Sequence, residues 1–119
     1  YDDDNIFAKI LRGEIPCDKI YEDDFVLSFY DINPQKKIHA LVIPKGKYID
    51  LDDFNTNASD KEIIGLMKGI TTVSKKLGIS SIDGKGYRAL ANIGDYGGQE
   101  VPHLHLHLFG GEKVGKMIS

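Results

Sequence analysis

Hydrophobic and polar positions divide the first third of the chain into short segments with helical or extended periods. Asn5 is suited to cap a helix, and the apolar residues after it recur at helical spacing until Gly13 and Pro16. These apolar residues are Ile6, Phe7, Ile10 and Leu11. Two runs of strand-forming residues follow, at residues 19–22 and 25–31. The pattern predicts a short helix and then a β-hairpin.

The middle of the chain predicts one more strand and one long helix. The apolar, β-branched run from His39 to Ile43 indicates a third strand, which the following proline closes, and residues 45–57 are expected to be irregular. Ser59 and Glu62 have the spacing of a capping box, which predicts a helix that continues to Gly78. The apolar stripe of this helix consists of Ile63, Leu66, Met67, Ile70, Val73 and Leu77.

The last third of the chain predicts two more strands. Residues 87–92 and 101–109 have strand character, and the glycine-rich residues 94–98 between them indicate a tight loop. Five strands and two helices predict an α+β domain with an antiparallel sheet and both helices packed on one face.

Composition and charge restrict the kinds of partner. A chain of 119 residues, 41% hydrophobic and 28% charged, is expected to form one folded domain. Its formal net charge of −3 and the lack of a Lys/Arg block argue against nucleic acid and membrane surfaces as partners. The single cysteine, Cys17, cannot form an intrachain disulfide, which favours a reducing compartment. No apolar stretch is long enough to cross a bilayer, and the first residues are acidic where a signal peptide would be basic. We therefore expect a cytoplasmic protein.

Three of the four histidines alternate with leucines near the C-terminus. In a strand, His103, His105 and His107 would share one face, while the leucines at 104, 106 and 108 would pack into the core on the other. Same-face neighbours in a strand are about 6.5 to 7 Å apart, a spacing suited to holding a small group between the imidazoles.

Two chemistries fit this histidine row. The imidazoles can bind Zn²⁺, with His39 of the neighbouring strand as a further ligand. Alternatively, one neutral imidazole attacks phosphorus while another donates to phosphate oxygens. The glycine-rich loop at residues 94–100 favours the second chemistry, because its amides are free to turn toward an anion. A histidine-rich strand without a chemical role is the third interpretation.

The row and its neighbours resemble a known family signature. Residues 97–108 read Gly-Gly-Gln-Glu-Val-Pro-His-Leu-His-Leu-His-Leu, which resembles the histidine triad of histidine triad nucleotide-binding proteins, the HINT branch, with a bacterial-like Gln-Glu pair. Further matching segments are residues 6–10, 14–16, 21–24, 31–35, 39–45, 86–88, 92 and 110–111. The resemblance implies an α+β, HIT-like fold, with a five-stranded antiparallel sheet and two helices, in a single HIT domain over residues 1–119.

The resemblance also implies roles for individual residues. His105 would be the nucleophile that forms a covalent nucleotidyl-histidine, His107 would contact the phosphate and assist the leaving group, and His103 and His39 would orient the others. Asp31 would bind the ribose hydroxyls. Apolar contacts to a purine are implied for Ile6, Phe7, Ile10, Phe29, Ile32 and Leu41, and phosphate contacts for Asn92, Gly98, Gln99, Glu100 and Val101.

The function that this resemblance implies is hydrolysis of the P–N bond of purine nucleoside 5′-phosphoramidates by a homodimer that needs no metal or other cofactor. Dinucleoside polyphosphates and aminoacyl adenylates, including those made by aminoacyl-tRNA synthetases, are alternative substrates of the same site. A nucleotide-binding regulatory module and a zinc protein are alternatives from other classes.

Overall fold

The computed structural model describes residues 1–117 of the chain. These residues form three helices and five strands. In chain order the elements are α1 (Ile6–Leu11), β1 (Lys19–Glu22), β2 (Val26–Tyr30), β3 (Ile38–Pro44), α2 (Leu51–Asn57), α3 (Asp60–Lys76), β4 (Arg88–Leu90) and β5 (Leu106–Gly110). No helix among the described residues is long and apolar enough to span a bilayer.

The five strands form one sheet in the order β1-β2-β3-β5-β4, and every neighbouring pair is antiparallel. The α+β class, the five-stranded antiparallel sheet and the β1–β2 hairpin are therefore confirmed. The hairpin turn is closed by Asp23, whose carboxylate accepts from the Phe25 and Val26 amides at 2.8 and 2.9 Å. Antiparallel pairing of β3 with β5 brings the two histidine-bearing strands side by side.

Helix α2 corrects the prediction of two helices. Residues 51–57 lie in the segment expected to be irregular, but Asp50 caps them by accepting from the Asp53 amide at 2.8 Å. Phe54 is the one side chain of this helix that is fully buried. A helix of two turns that buries a single aromatic side chain has no apolar stripe, so periodicity could not reveal it.

The helices pack on both faces of the sheet, which corrects the prediction of one. Leu66, Ile70 and Val73 of α3 form a buried cluster with Val42 and the leucines at 104, 106 and 108. On the opposite face, α1 contributes Phe7 to a second buried cluster. The other members of that cluster are Leu27, Phe29, Leu41 and Ile43. Side chains alternate along each strand, so β2 and β3 each supply residues to both clusters.

Strand β5 begins at Leu106, so the prediction of a strand over residues 101–109 is wrong in its first half. The ladder with β3 ends at the Val42–Leu106 pair, next to Pro44, which has no amide hydrogen to donate. Upstream of β5, the Leu104 amide donates instead to the Tyr48 carbonyl at 2.9 Å. The segment that carries two of the triad histidines therefore leaves the sheet and follows the loop after β3.

Candidate active site

The four histidines form a connected row along β3, β5 and the segment before β5, on the face that α1 covers. His107 lies in β5 opposite Leu41, and His39 lies in β3 opposite Phe109. His103 and His105 precede β5, so the three triad side chains do not form the regular row of one strand that the sequence predicted. The rings of His105 and His107 are nevertheless adjacent, with centroids 5.1 Å apart. The three leucines between and after the histidines are buried in the core, as predicted.

The hydrogen bonds of His103 and His105 determine which ring nitrogens carry protons. Nδ1 of His105 lies 2.7 Å from the His103 carbonyl, and Nε2 of His103 lies 2.9 Å from the Pro44 carbonyl. A carbonyl oxygen only accepts, so both of these nitrogens must be N–H donors. In its neutral form, His105 therefore keeps the lone pair on Nε2, the nitrogen that is free of this bond.

His39 and His107 have the complementary arrangement. The Gln35 amide donates to Nδ1 of His39 at 3.2 Å, which leaves the proton of the neutral ring on Nε2. Nε2 of His39 lies 2.9 Å from Nδ1 of His107 and donates to it. Neutral His107 consequently carries its own proton on Nε2. The site thus combines a nucleophilic nitrogen on one ring with an N–H donor on the next.

Burial keeps these imidazoles neutral. Desolvation is the largest cause that lowers the pKa of His103, His105 and His39 below the ordinary histidine value, and it lowers the pKa of His107 to about 4. Neighbouring carboxylates oppose the shift, since Asp31 and Glu100 both favour a positive charge on His105. At neutral pH the rings therefore act as lone-pair bearers and hydrogen-bond donors rather than as cations.

The residues implied as purine contacts divide into buried and exposed groups. Phe7 lies edge-on against His105, with ring centroids 4.9 Å apart, and belongs to the buried cluster that includes Phe29 and Leu41. Ile10 packs against this cluster, and so does Val101, which was implied as a phosphate contact. Two other residues are exposed, Ile6 at 42% and Ile32 at 86%. The two exposed apolar side chains are accessible to a planar apolar ligand, whereas the buried ones are not.

Asp31 joins the end of β2 to the histidines. Its Oδ1 accepts from the Asn33 amide at 2.8 Å, which forms a local turn, and its Oδ2 lies 3.5 Å from Nε2 of His39. The two carboxylate oxygens therefore point in different directions. One closes the turn and the other faces the histidine side of the site.

The loop before the triad is ordered by its own hydrogen bonds. Residues 94–98 form the predicted turn, and the amides of Gly98 and Gln99 donate to carbonyls within it. The side chain of Asn92 donates to the Gly97 carbonyl at 2.8 Å, and that of Gln99 donates to the Ile49 carbonyl. Glu100 is exposed. Asn92 and Gln99 thus hold the shape of the loop beside the triad.

The donor atoms of Asp31, His39 and His107 lie within 4.8 Å of one another, the arrangement that a metal site would need. Two of these atoms already share a hydrogen bond, between Nε2 of His39 and Nδ1 of His107. A metal ion could bind there only after that bond was broken and the His39 proton was lost, since zinc binds the lone pair of a neutral imidazole. The zinc site predicted from the sequence used neighbouring imidazoles of the triad together with His39. The cluster in the structure contains His39 and one triad histidine, His107, and its third member is Asp31.

The sequence interpretation missed Tyr1 and Pro44. The Tyr1 hydroxyl contacts Nδ1 of His103, and the Pro44 carbonyl accepts from its Nε2. The position of Tyr1, 102 residues from His103, offers no local signal. Pro44 was recognised only as the end of a strand, and its carbonyl as a partner of His103 was not predicted.

A five-stranded antiparallel sheet of this topology, with four histidines in contact along β3, β5 and the segment before β5, defines a protein of the histidine triad type. The family model of the HIT domain matches residues 12–114, and the chain belongs to the HIT family. A HIT-like protein of Azospirillum brasilense is 50% identical over the whole chain and 95% of its own length. The purine nucleoside phosphoramidase of Escherichia coli is 40% identical over 98% of this chain and 95% of its own.

The solved structures agree with this placement. A HIT family hydrolase from Clostridium thermocellum superposes with a TM-score of 0.87 at 36% identity, and each chain covers 100% of the other. The α+β, HIT-like fold and the family that the resemblance implied are therefore confirmed. The names of these relatives support a hydrolase.

Proposed function

We propose that the protein hydrolyses the P–N bond of purine nucleoside 5′-phosphoramidates. The observation that carries this proposal is the set of hydrogen bonds that place the lone pair of neutral His105 and the proton of neutral His107 on their Nε2 atoms. A nucleophile and a donor on adjacent rings are what attack at phosphorus requires. The 40% identity to a purine nucleoside phosphoramidase supports the choice of substrate.

The reaction has two balanced steps. First, Nε2 of His105 bonds to the α-phosphorus as the P–N bond breaks, and the leaving nitrogen takes the electron pair, and a proton from solvent, to depart as an amine. Water then attacks the phosphorus, the bond to Nε2 breaks and its electron pair returns to the ring, so that a nucleoside monophosphate leaves. The proton released by this water replaces the one that the amine removed. His107 donates its Nε2–H to a phosphate oxygen in both steps, and no metal takes part.

The nucleotide would lie across the face that α1 covers. In this proposal the purine contacts the exposed side chains of Ile6 and Ile32, the ribose hydroxyls bind Asp31, and the phosphate reaches the triad and the loop at residues 98–101. Support comes from the contact of Phe7 with His105 and from Oδ2 of Asp31, which faces the histidines at 3.5 Å from Nε2 of His39.

We propose further that two copies of the chain form a homodimer through β4 and α3. Strand β4 is the edge of the sheet beyond β5, so its outer backbone groups are available to a second copy. Helix α3 also exposes two large apolar side chains, Ile64 at 53% and Met67 at 56%. A symmetric contact of both elements would continue the sheet and bury these side chains.

Kinetics on substrates that share adenosine 5′-monophosphate but differ in leaving group test the proposal. We expect the highest kcat/KM when the leaving group is an amine or lysine and lower values when it is a nucleotide or an aminoacyl carboxylate. Activity should survive extensive treatment with a chelator. Faster cleavage of dinucleoside polyphosphates would instead support a dinucleoside polyphosphate hydrolase. Loss of activity on chelation that added zinc restores would support a zinc protein. Nucleotide binding without turnover would select the regulatory module.

A further inference from the structure

The aromatic ring of Tyr1 covers the innermost histidine of the triad. Its hydroxyl oxygen lies 2.5 Å from Nδ1 of His103, and the two rings meet edge to face with centroids 5.6 Å apart. His103 is fully buried, whereas Tyr1 is 38% exposed. Tyr1 thus separates this side of the triad from solvent.

The direction of the Tyr1 hydrogen bond follows from the other side of the His103 ring. Nε2 of His103 must donate to the Pro44 carbonyl, so Nδ1 of the neutral ring has a lone pair and accepts from the Tyr1 hydroxyl. The ring is thereby held at both nitrogens. The carbonyl of the same residue accepts from Nδ1 of His105 at 2.7 Å, so the position of His103 sets the orientation of the His105 ring.

The segment that carries Tyr1 is tied to the fold at several points. The Asp2 carbonyl accepts from the Asn5 amide and from its side chain, at 3.1 and 2.7 Å. Asp3 forms an ion pair with Lys47 at 2.8 Å, and its carbonyl accepts from the Arg12 guanidinium at 2.7 Å. These bonds hold the segment against α1 and the loop after β3, so the Tyr1 hydroxyl is directed at the triad rather than left to move in solvent.

We propose that Tyr1 is a positioning residue for the nucleophile. Through its bond to Nδ1 of His103, Tyr1 fixes the ring and carbonyl of His103, which in turn hold His105 with the lone pair of Nε2 toward the substrate. Tyr1 touches neither the substrate nor the reacting atoms. The effect on catalysis rests on the proposed function, whereas the effect on the histidines does not depend on any substrate.

The Tyr1→Phe variant tests this role because it keeps the ring and removes only the hydroxyl. Tyr21→Phe is the matched control, since it also removes one tyrosine hydrogen bond, to Asp23 at 2.8 Å on the outer strand β1. We expect Tyr1→Phe to lower kcat about three- to tenfold with little change in KM, in proportion to the loss of one hydrogen bond. Tyr21→Phe should leave both constants unchanged.

Nitrogen NMR of histidine-labelled protein provides a readout that is independent of turnover. In the parent, His103 should have its proton on Nε2 and His105 on Nδ1. Tyr1→Phe should move the Nδ1 resonance of His103 to the position of a nitrogen that accepts no hydrogen bond, and should also shift Nδ1 of His105. Tyr21→Phe should move neither.

Unchanged resonances, or changed resonances with an unchanged kcat, would overturn the inference. An equal loss of activity in both tyrosine variants would also overturn it, because the cause would then be general destabilisation. If the parent cleaves no phosphoramidate, the proposed function fails, and the NMR arm alone decides the inference. A shift of His105 Nδ1 in Tyr1→Phe would then support positioning, and its absence would contradict it.

Discussion

At the scale of single residues, the hydrogen-bond partners of the histidines matter as much as their number. Two carbonyl groups and one amide assign protons to the rings: the carbonyls of His103 and Pro44 and the amide of Gln35. None of these partners can be exchanged by a side-chain substitution that preserves the backbone. The tautomers of the site are therefore set by the fold, and the same four histidines on another scaffold would not have the same chemistry.

Asp31→Asn tests the proposed ribose contact. An amide nitrogen cannot accept a hydrogen bond, so the variant loses one acceptor for the ribose hydroxyls while its remaining oxygen can still close the turn to Asn33. We expect KM for ribonucleotide substrates to rise by the equivalent of about 1 to 3 kcal/mol. Steady-state kinetics on ribose and 2′-deoxyribose substrates should show that the variant discriminates less between them.

The control for Asp31→Asn is Asp24→Asn, the same change at an exposed position in the β1–β2 turn. It should leave both KM values as in the parent. Equal discrimination by the parent and Asp31→Asn would mean that Asp31 serves only the turn at the end of β2.

At the scale of elements, the sequence predicts those whose signals are local. The capping box of α3 is confirmed by two reciprocal bonds, from the Glu62 amide to Ser59 at 3.2 Å and from the Ser59 amide to Glu62 at 3.1 Å. The alternation of leucine with histidine correctly predicted that the three leucines pack in the core. Helix α2 and the start of β5 depend on contacts with distant segments, namely the burial of Phe54 and the bond from Leu104 to Tyr48, and periodicity does not encode these.

Ser59→Ala measures the contribution of the cap to α3. The variant loses the acceptor for the Glu62 amide, so the free energy of unfolding should fall by about 1 kcal/mol. Ser59→Asp keeps an acceptor at the same place and should retain most of the stability. Urea titrations followed by circular dichroism provide the comparison, and kcat should be the same in all three proteins because α3 packs on the face opposite the triad. No loss of stability in Ser59→Ala would show that the cap contributes little to α3.

At the scale of the whole molecule, the two faces of the sheet differ, because the histidines lie on only one of them. One face carries the larger core with α3, while the other carries α1, the apolar cluster around Phe7 and the histidines. The sequence could predict the sheet and, through the family signature, the triad. Periodicity could not assign α1 and α3 to opposite faces, because an apolar stripe shows that a helix is buried but not against which side of a sheet. Only the resemblance, through Ile6, Phe7 and Ile10, implied that α1 lies near the triad.

The buried histidines should make stability depend on pH. The pKa of each lies below the value of about 6.5 expected in the unfolded chain, and that of His107 is about 4. As the pH falls through about 6.5, the unfolded state binds protons first, so the free energy of unfolding falls until the folded rings also titrate, near pH 4 for His107. The stability that neutral histidines provide is complete above about pH 6.5.

Urea unfolding at about pH 7.5 and about pH 5 measures this dependence, and the midpoint should be lower at the lower pH. The Glu22 carboxylate keeps its charge over this interval, since hydrogen bonds from Lys19 and Lys45 lower its pKa to about 2. His107→Gln removes one of the titrating rings and should reduce the difference between the two midpoints. Equal midpoints in the parent would contradict the burial of neutral histidines.

The central claim is that His105 attacks phosphorus and becomes covalently nucleotidylated. Rapid-quench mass spectrometry of the protein during turnover of adenosine 5′-phosphoramidate tests it most directly. We predict an adenylyl group on the peptide that contains His105, bound to its Nε2 and decaying at the rate of turnover. His105→Ala should bind adenosine 5′-monophosphate but form no adduct and no product. An adduct on a different histidine, or a near-normal kcat in His105→Ala, would contradict the account.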